Sequence, residues 1–165
     1  MLNKKPKMDD NEIEMIIKYL DKNDIMFEYG SGYSTLLFSK YVKKYISIEH
    51  NKEWFKKINS QIEKNTHLWY IPDINGNFDN YVNVISTFNL HYDKVLIDGR
   101  DRVNCAKAII PYLKESSIVF LHDYYSNQYN DILKWFKIID LTKERPKNLR
   151  FRRGLAVLKK KDNNE

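Results

Sequence analysis

The chain of 165 residues contains one cysteine, Cys105. That excludes an internal disulfide and any cysteine-rich zinc site, and a reducing, cytoplasmic setting is expected. No apolar run reaches the roughly 18 residues that a membrane span requires. The opening MLNKKPKMDDNEIE has no apolar stretch of the kind a secretory leader needs, so no membrane partner is expected. Glycine is scarce, five in all, so each is expected where backbone geometry demands it. Repeats and low-complexity tracts are absent. With 42% hydrophobic and 30% charged residues, the composition is that of a folded chain rather than a disordered one. Its length suits a single domain over 1–165.

The net charge of +6 is local. Segment 143–161 carries nine Lys/Arg and one Glu, whereas residues 1–142 balance at nineteen of each sign. A flexible basic N-terminus over 1–9, a basic loop over 143–153 and a tail over 160–165 are expected to flank the core.

Apolar spacing predicts a helix over 10–22, where Ile13, Ile16, Ile17 and Leu20 form one stripe. Short apolar runs predict strands at 25–29, 44–49, 68–71, 94–98 and 117–122. Helices are predicted between them at 33–43, 52–64, 81–89 and 102–114, and a last one over 127–137. Alternation at this spacing implies a doubly wound α/β fold, a mostly parallel sheet with helices on both faces. Two further strands, 138–142 and 154–159, have no helix between them and are read as an antiparallel hairpin at the sheet edge.

Ligands in such a sheet bind beyond the carboxyl ends of the strands. The first strand ends in Glu28-Tyr29-Gly30-Ser31-Gly32-Tyr33-Ser34, where two glycines permit a sharp turn and close backbone approach. The second ends in Glu49, whose carboxylate suits the two hydroxyls of a ribose. These features describe a nucleoside cofactor, NAD or S-adenosylmethionine. Thr35 stands where a third glycine would favour NAD. A carboxylate at Glu28 suits a cationic amino-acid ligand and repels a pyrophosphate, which favours S-adenosylmethionine. His50 is expected beside the adenine and Tyr33 over the cofactor. Asp73 is expected to recognise adenine or ribose, or else to form a turn.

FEYGSGYSTLLFSK resembles motif I of the class I S-adenosylmethionine-dependent methyltransferases, and ISIEHNKEWF resembles their second motif. VLIDGRDRVNCAKAIIPYL with IVFLHDYY resembles a small subgroup marked by IDGR-x-R and His-Asp segments. The likeness spans residues 10–160. It implies a Rossmann-like, seven-stranded sheet with the last strand antiparallel, and Ser31, Ser34 and Asp98 beside Glu28, Gly30, Gly32 and Glu49 in the cofactor site.

The chemistry belongs at the ends of the fourth and fifth strands, at Asp98-Gly99-Arg100 and His122-Asp123-Tyr124. Three readings stand. Asp98 and Asp123, with or without His122, hold a divalent cation (Mg or Mn), as metal-dependent sugar and catechol O-methyltransferases do at these strand ends. Alternatively, His122 is a general base oriented by a carboxylate. In the third, His122 and Asp123 merely cap a strand end. Arg100 and Arg102 can each bind an anionic group or pair with Asp101, and Arg100 is preferred for the cleft. Cys105 reads as packing, as do Trp54, Trp69 and Trp135.

IDGR replaces the N/D-P-P-Y/F segment usual for exocyclic amino methylation. Cys105 is misplaced for cytosine C5 chemistry, and GLAVLKK lacks the glutamate of small ribose methyltransferases. The expected function is O-methylation of a sugar, glycan or other small hydroxyl acceptor. RNA or nucleotide methylation through the basic segment is the alternative; an inactive cofactor-binding scaffold is a third. So short a chain leaves acceptor recognition to short loops or to a partner subunit, in keeping with a homo-oligomer.

Overall fold

Alternation within five residues, Ile25–Tyr29, divides the molecule into two cores. Successive side chains of a strand point to opposite faces. Met26 packs with Ile16, Phe38, Tyr45, Leu96 and Phe120 on one face of the sheet. Phe27 and Tyr29 pack with Ile46, Ile48, Val95, Ile97 and Val119 on the other. The computed structural model describes residues 5–143 and 154–162. The basic loop beyond Lys143 and the tail beyond Asp162 lie outside the described residues, so the expectations for them stand apart from the structure.

In chain order the elements are α1 Asp10–Tyr19, β1 Ile25–Tyr29, α2 Tyr33–Phe38, β2 Lys44–Glu49, α3 Lys52–Asn59, β3 Thr66–Tyr70, α4 Asp79–Asn83, β4 Tyr92–Ile97, α5 Arg102–Ala108, β5 Leu113–His122, β6 Phe136–Leu141 and β7 Leu155–Lys160. The sheet has seven strands in the order β3-β2-β1-β4-β5-β7-β6. Adjacent pairs among β1 to β5 are parallel. β7 lies between β5 and β6, antiparallel to both. This is the Rossmann-like arrangement expected, and the switch in chain direction falls between β1 and β4.

Several expected helices are shorter and finish in 3-10 turns. The helix read over 102–114 ends at Ala108 and is followed by a 3-10 turn, Ile110–Tyr112. Pro111 has no N–H to donate, so the α-helical ladder stops there. The helix expected over 127–137 is a 3-10 segment, Asn127–Lys134. The N-terminal stretch set aside as flexible is packed from Pro6 on: Pro6 and Met8 are buried.

Candidate active site

The carboxyl ends of β1, β2, β4 and β5 open on one cleft of about 1500 Å3. The Gly30–Gly32 turn, Glu49, His50 and Trp54 line one half. Asp98, Arg100, Arg102, His122, Asp123 and Tyr129 line the other, with Lys5 and Lys7 contributed by the N-terminal segment.

Backbone crossing makes two of the scarce glycines obligatory. Gly30 has φ +90° and donates its N–H to the Ile48 carbonyl at 3.0 Å. A Cβ on Gly30 would stand 2.6 Å from Gly99 Cα, and one on Gly99 would run into the Tyr81 hydroxyl. The turns after β1 and β4 therefore pass glycine over glycine, which brings Asp98 beside the first turn.

Glu28 does not reach the cleft, which corrects the expectation that it binds the cofactor. It lies on the Met26 face of β1, fully buried. Its carboxylate accepts hydrogen bonds from Ser34 Oγ at 2.6 Å, Thr35 Oγ1 at 2.5 Å and Ser47 Oγ at 2.7 Å. Thr35 Oγ1 in turn accepts the Gly32 N–H at 3.0 Å. Glu28 thus anchors the glycine turn from beneath, and Ser34, assigned to the cofactor with it, is a buried part of that anchor. Burial pushes the Glu28 carboxyl up to about 7 despite the three donated hydrogen bonds.

Glu49 does reach the cleft. Its Oε2 accepts Ser31 N–H at 3.1 Å and Ser31 Oγ at 3.0 Å, and its Oε1 accepts Asn51 N–H at 2.8 Å. These bonds fix the carboxylate while leaving each oxygen further acceptor capacity. The His50 ring lies beside it and meets Phe78 and Tyr81 edge-on. Trp54, read as packing from sequence, donates its indole N–H to the Ser31 carbonyl at 2.8 Å and supports Tyr33 edge-on. Asp73 lies elsewhere. It accepts the Gly76 N–H at 2.9 Å within a turn and is not among the residues lining the cleft.

Asp98, His122 and Asp123 come together at the ends of β4 and β5. His122 Nδ1 and Asp98 Oδ1 are 2.7 Å apart, and Asp123 Oδ2 is 3.7 Å from the same nitrogen. His122 Nε2 points to buried Glu12 of α1, 3.6 Å away. Burial alone would lower the imidazole. Asp98, hydrogen-bonded to it, together with Glu12 and Asp123, outweighs burial and raises it to about 10. The carboxylates around it thus favour the charged ring, and both of its nitrogens turn to carboxylates. Nδ1 is taken up by Asp98 and Nε2 lies against Glu12, a geometry that speaks against the expected general base.

Arg102, passed over for Arg100 in the sequence, holds this cluster together. Its Nη2 lies 3.2 Å from Asp98 Oδ1 and 3.2 Å from Asp123 Oδ2. Nε donates to the Gly99 carbonyl at 3.1 Å and Nη1 to the His122 carbonyl. The side chain is only 10% exposed. Arg100 is exposed and lines the cleft. One ligand atom each from Asp98, His122 and Asp123 lies within 4.8 Å of the others. This donor set does not fit the expected Mg or Mn, because the Arg102 guanidinium already lies between the two carboxylates. Cys105 is buried against the Arg100 carbonyl, and burial pushes its thiol well up, so it is no nucleophile.

Two residues of the site were missed from sequence, Glu12 and Trp54, and Arg102 was ranked below Arg100. Glu12 carried a signal, a carboxylate on the buried stripe side of a helix three residues after Asp9. Its Oε2 accepts the Asp9 N–H at 2.7 Å.

No family sequence profile matches the chain, and no curated protein matches it. Solved structures do. An rRNA methylase from Streptococcus thermophilus is 15% identical, with 97% of this chain and 98% of that one covered and a TM-score of 0.68. A candidate caffeoyl-CoA O-methyltransferase from Staphylococcus aureus is 18% identical, with 94% and 86% covered and a TM-score of 0.68. A candidate methyltransferase from Streptococcus mutans, in complex with SAH, is 15% identical, with 97% and 99% covered and a TM-score of 0.64. The chain has the Rossmann-like fold of the class I methyltransferases.

Proposed function

We propose that the protein transfers a methyl group from S-adenosylmethionine to a hydroxyl of a small acceptor, with a sugar or glycan as the favoured class. The observation that carries the cofactor reading is the fixed carboxylate of Glu49 beside the Gly30–Gly32 turn. It suits a ribose diol. A pyrophosphate is disfavoured: the Gly32 N–H at the start of α2 is already spent on Thr35, and Asp98 faces the same space. His50 offers an edge for the adenine and Tyr33 a cover. When bound, the sulfonium supplies an electrophilic methyl group.

The chain's own part is alignment and proton removal. Asp98 stands next to the glycine turn and spends Oδ1 on His122 and Arg102. Its Oδ2 has no hydrogen bond among the described residues. We assign that oxygen as the acceptor of the hydroxyl proton as the new O–CH3 bond forms. Tyr125, Ser126, Gln128 and Tyr129 border this half of the cleft. They provide hydroxyl, amide and aromatic faces of the kind that recognise a polyol.

One observation favours a second reading, an RNA or nucleotide acceptor. Thr142 N–H bonds the Leu155 carbonyl at 3.0 Å and Tyr124 N–H the Gly154 carbonyl at 3.0 Å. The two ends of the basic segment are thus tied beside the acceptor half. Labelled S-adenosylmethionine offered with a panel of glycans, nucleotide sugars and RNA tests both readings. Label in the sugar acceptors that is lost in Asp98→Asn supports the first, and label in RNA alone replaces it with the second. Cofactor binding without transfer to any of them would leave a binding scaffold.

A further inference from the structure

The trio of Asp98, His122 and Asp123 has the spacing of a metal site and the wiring of something else. Five contacts fix the Arg102 guanidinium: the two carboxylates, and the backbone carbonyls of Asp98, Gly99 and His122. Its Cζ lies 5.2 Å from the centre of the Tyr129 ring. We propose that Arg102 is a built-in cation that occupies the place of a divalent metal between Asp98 and Asp123. It is a positioning residue, acting on the acceptor only through the carboxylates that it aims.

The argument is one of charge and geometry. Two carboxylates on adjacent strand ends repel each other unless a cation lies between them. The guanidinium answers both through Nη2, while its Nε and Nη1, fixed in the same rigid plane, hold backbone carbonyls. The fork also stitches the end of β4 to the end of β5 through carbonyls that a metal bound to the side chains alone would leave untouched. One oxygen of each carboxylate is committed to Nη2. The remaining oxygen of Asp98 has no partner among the described residues, and Asp98 lines the cleft. The aim of that oxygen is therefore set by Arg102 together with His122, rather than by a bound ion.

The inference rests on the methyl-transfer reading for its consequence but not for its test, which reads metal binding directly. Mn2+ is titrated into the full-length wild-type protein and into Arg102→Gln, with paramagnetic broadening of the His122 ring signals as the probe. In the wild type no saturable broadening at His122 is expected, and methyl transfer is unchanged by a chelator. Arg102→Gln is expected to gain saturable Mn2+ binding at least about tenfold tighter than any in the wild type, lost again in Arg102→Gln/Asp123→Asn. Stoichiometric Mn2+ at His122 in the wild type overturns the proposal. So does a folded Arg102→Gln that binds no Mn2+. If Arg102→Gln does not fold, the wild-type titration still decides. Failure of methyl transfer with every acceptor, alongside the expected Mn2+ behaviour, would count against the functional reading and leave the role of Arg102 standing.

Discussion

Raising the pH from 7 to 9 is expected to weaken the fold through one side chain, His122. Burial beside Asp98, Glu12 and Asp123 raises its imidazole to about 10 in the folded state, against about 6.5 for a free histidine. A group whose folded pKa is raised contributes stability that is complete below the unfolded value and is lost as pH climbs through the folded one. The affected window is therefore pH 6.5 to 10. Each unit within it costs about 1.4 kcal/mol, so two units cost about 3 kcal/mol. The ring is 4% exposed, so solvent screens this little. Urea unfolding at pH 7, 8 and 9 measures the slope. Asp98→Asn keeps the shape of the main partner and removes its charge. It lowers the imidazole pKa and flattens the slope, whatever its effect on absolute stability. Long-range imidazole NMR follows the titration itself. A His122 that titrates at or below 7, or equal slopes in the two proteins, would refute the electrostatic account of the cluster and reopen His122 as a base.

Glu28 has the opposite chemistry and the same trend: its neutral form is favoured by the fold, so stability present below 4.5 is lost as pH rises to about 7. Glu28→Gln should therefore flatten the unfolding free energy between pH 5 and 7, where the wild type loses roughly 2 kcal/mol. Gly30→Ala meets both a left-handed φ and the Gly99 backbone. A loss of about 3–5 kcal/mol is expected, and a change under about 0.5 kcal/mol in chemical denaturation would contradict the crossing. Glu49→Ala should weaken S-adenosylmethionine binding by about 2 kcal/mol, as read by calorimetry, the size expected for charge-assisted hydrogen bonds.

The sheet was legible because local patterning and global topology agree. β1 and β2 fall on the residues read from their apolar runs, 25–29 and 44–49, and the breaks after them lie at glycine and acid. The site was legible in its strand ends, not in its wiring. Glu28 was misread because motif spacing was followed instead of strand parity. Two residues from buried Met26, it shares that residue's face, over which α2 then lays Ser34 and Thr35. The choice between Arg100 and Arg102 turns on Asp101, which takes φ +47° and sends the chain back so that the second arginine, not the first, faces Asp98 and Asp123. No periodicity encodes such a bend. Trp54 was read as packing because an indole's one polar atom leaves no trace in sequence.

The place of β7 between β5 and β6 bears on how the chain is made. Strands emerge from a ribosome in sequence order, so β6 appears when β7, its one neighbour in the sheet among the described residues, has yet to be synthesised. Ile138, Ile139 and Leu141 are more than a third exposed even in the finished fold, and until β7 arrives their strand has both edges unpaired. Pairing β5 with β7 spans the whole basic segment, a non-local closure of the kind that slows folding. The nascent protein thus carries an adhesive ribbon for the time it takes to translate about twenty residues. The interval carries a cluster of lysines and arginines, charges of the kind that oppose edge-to-edge pairing.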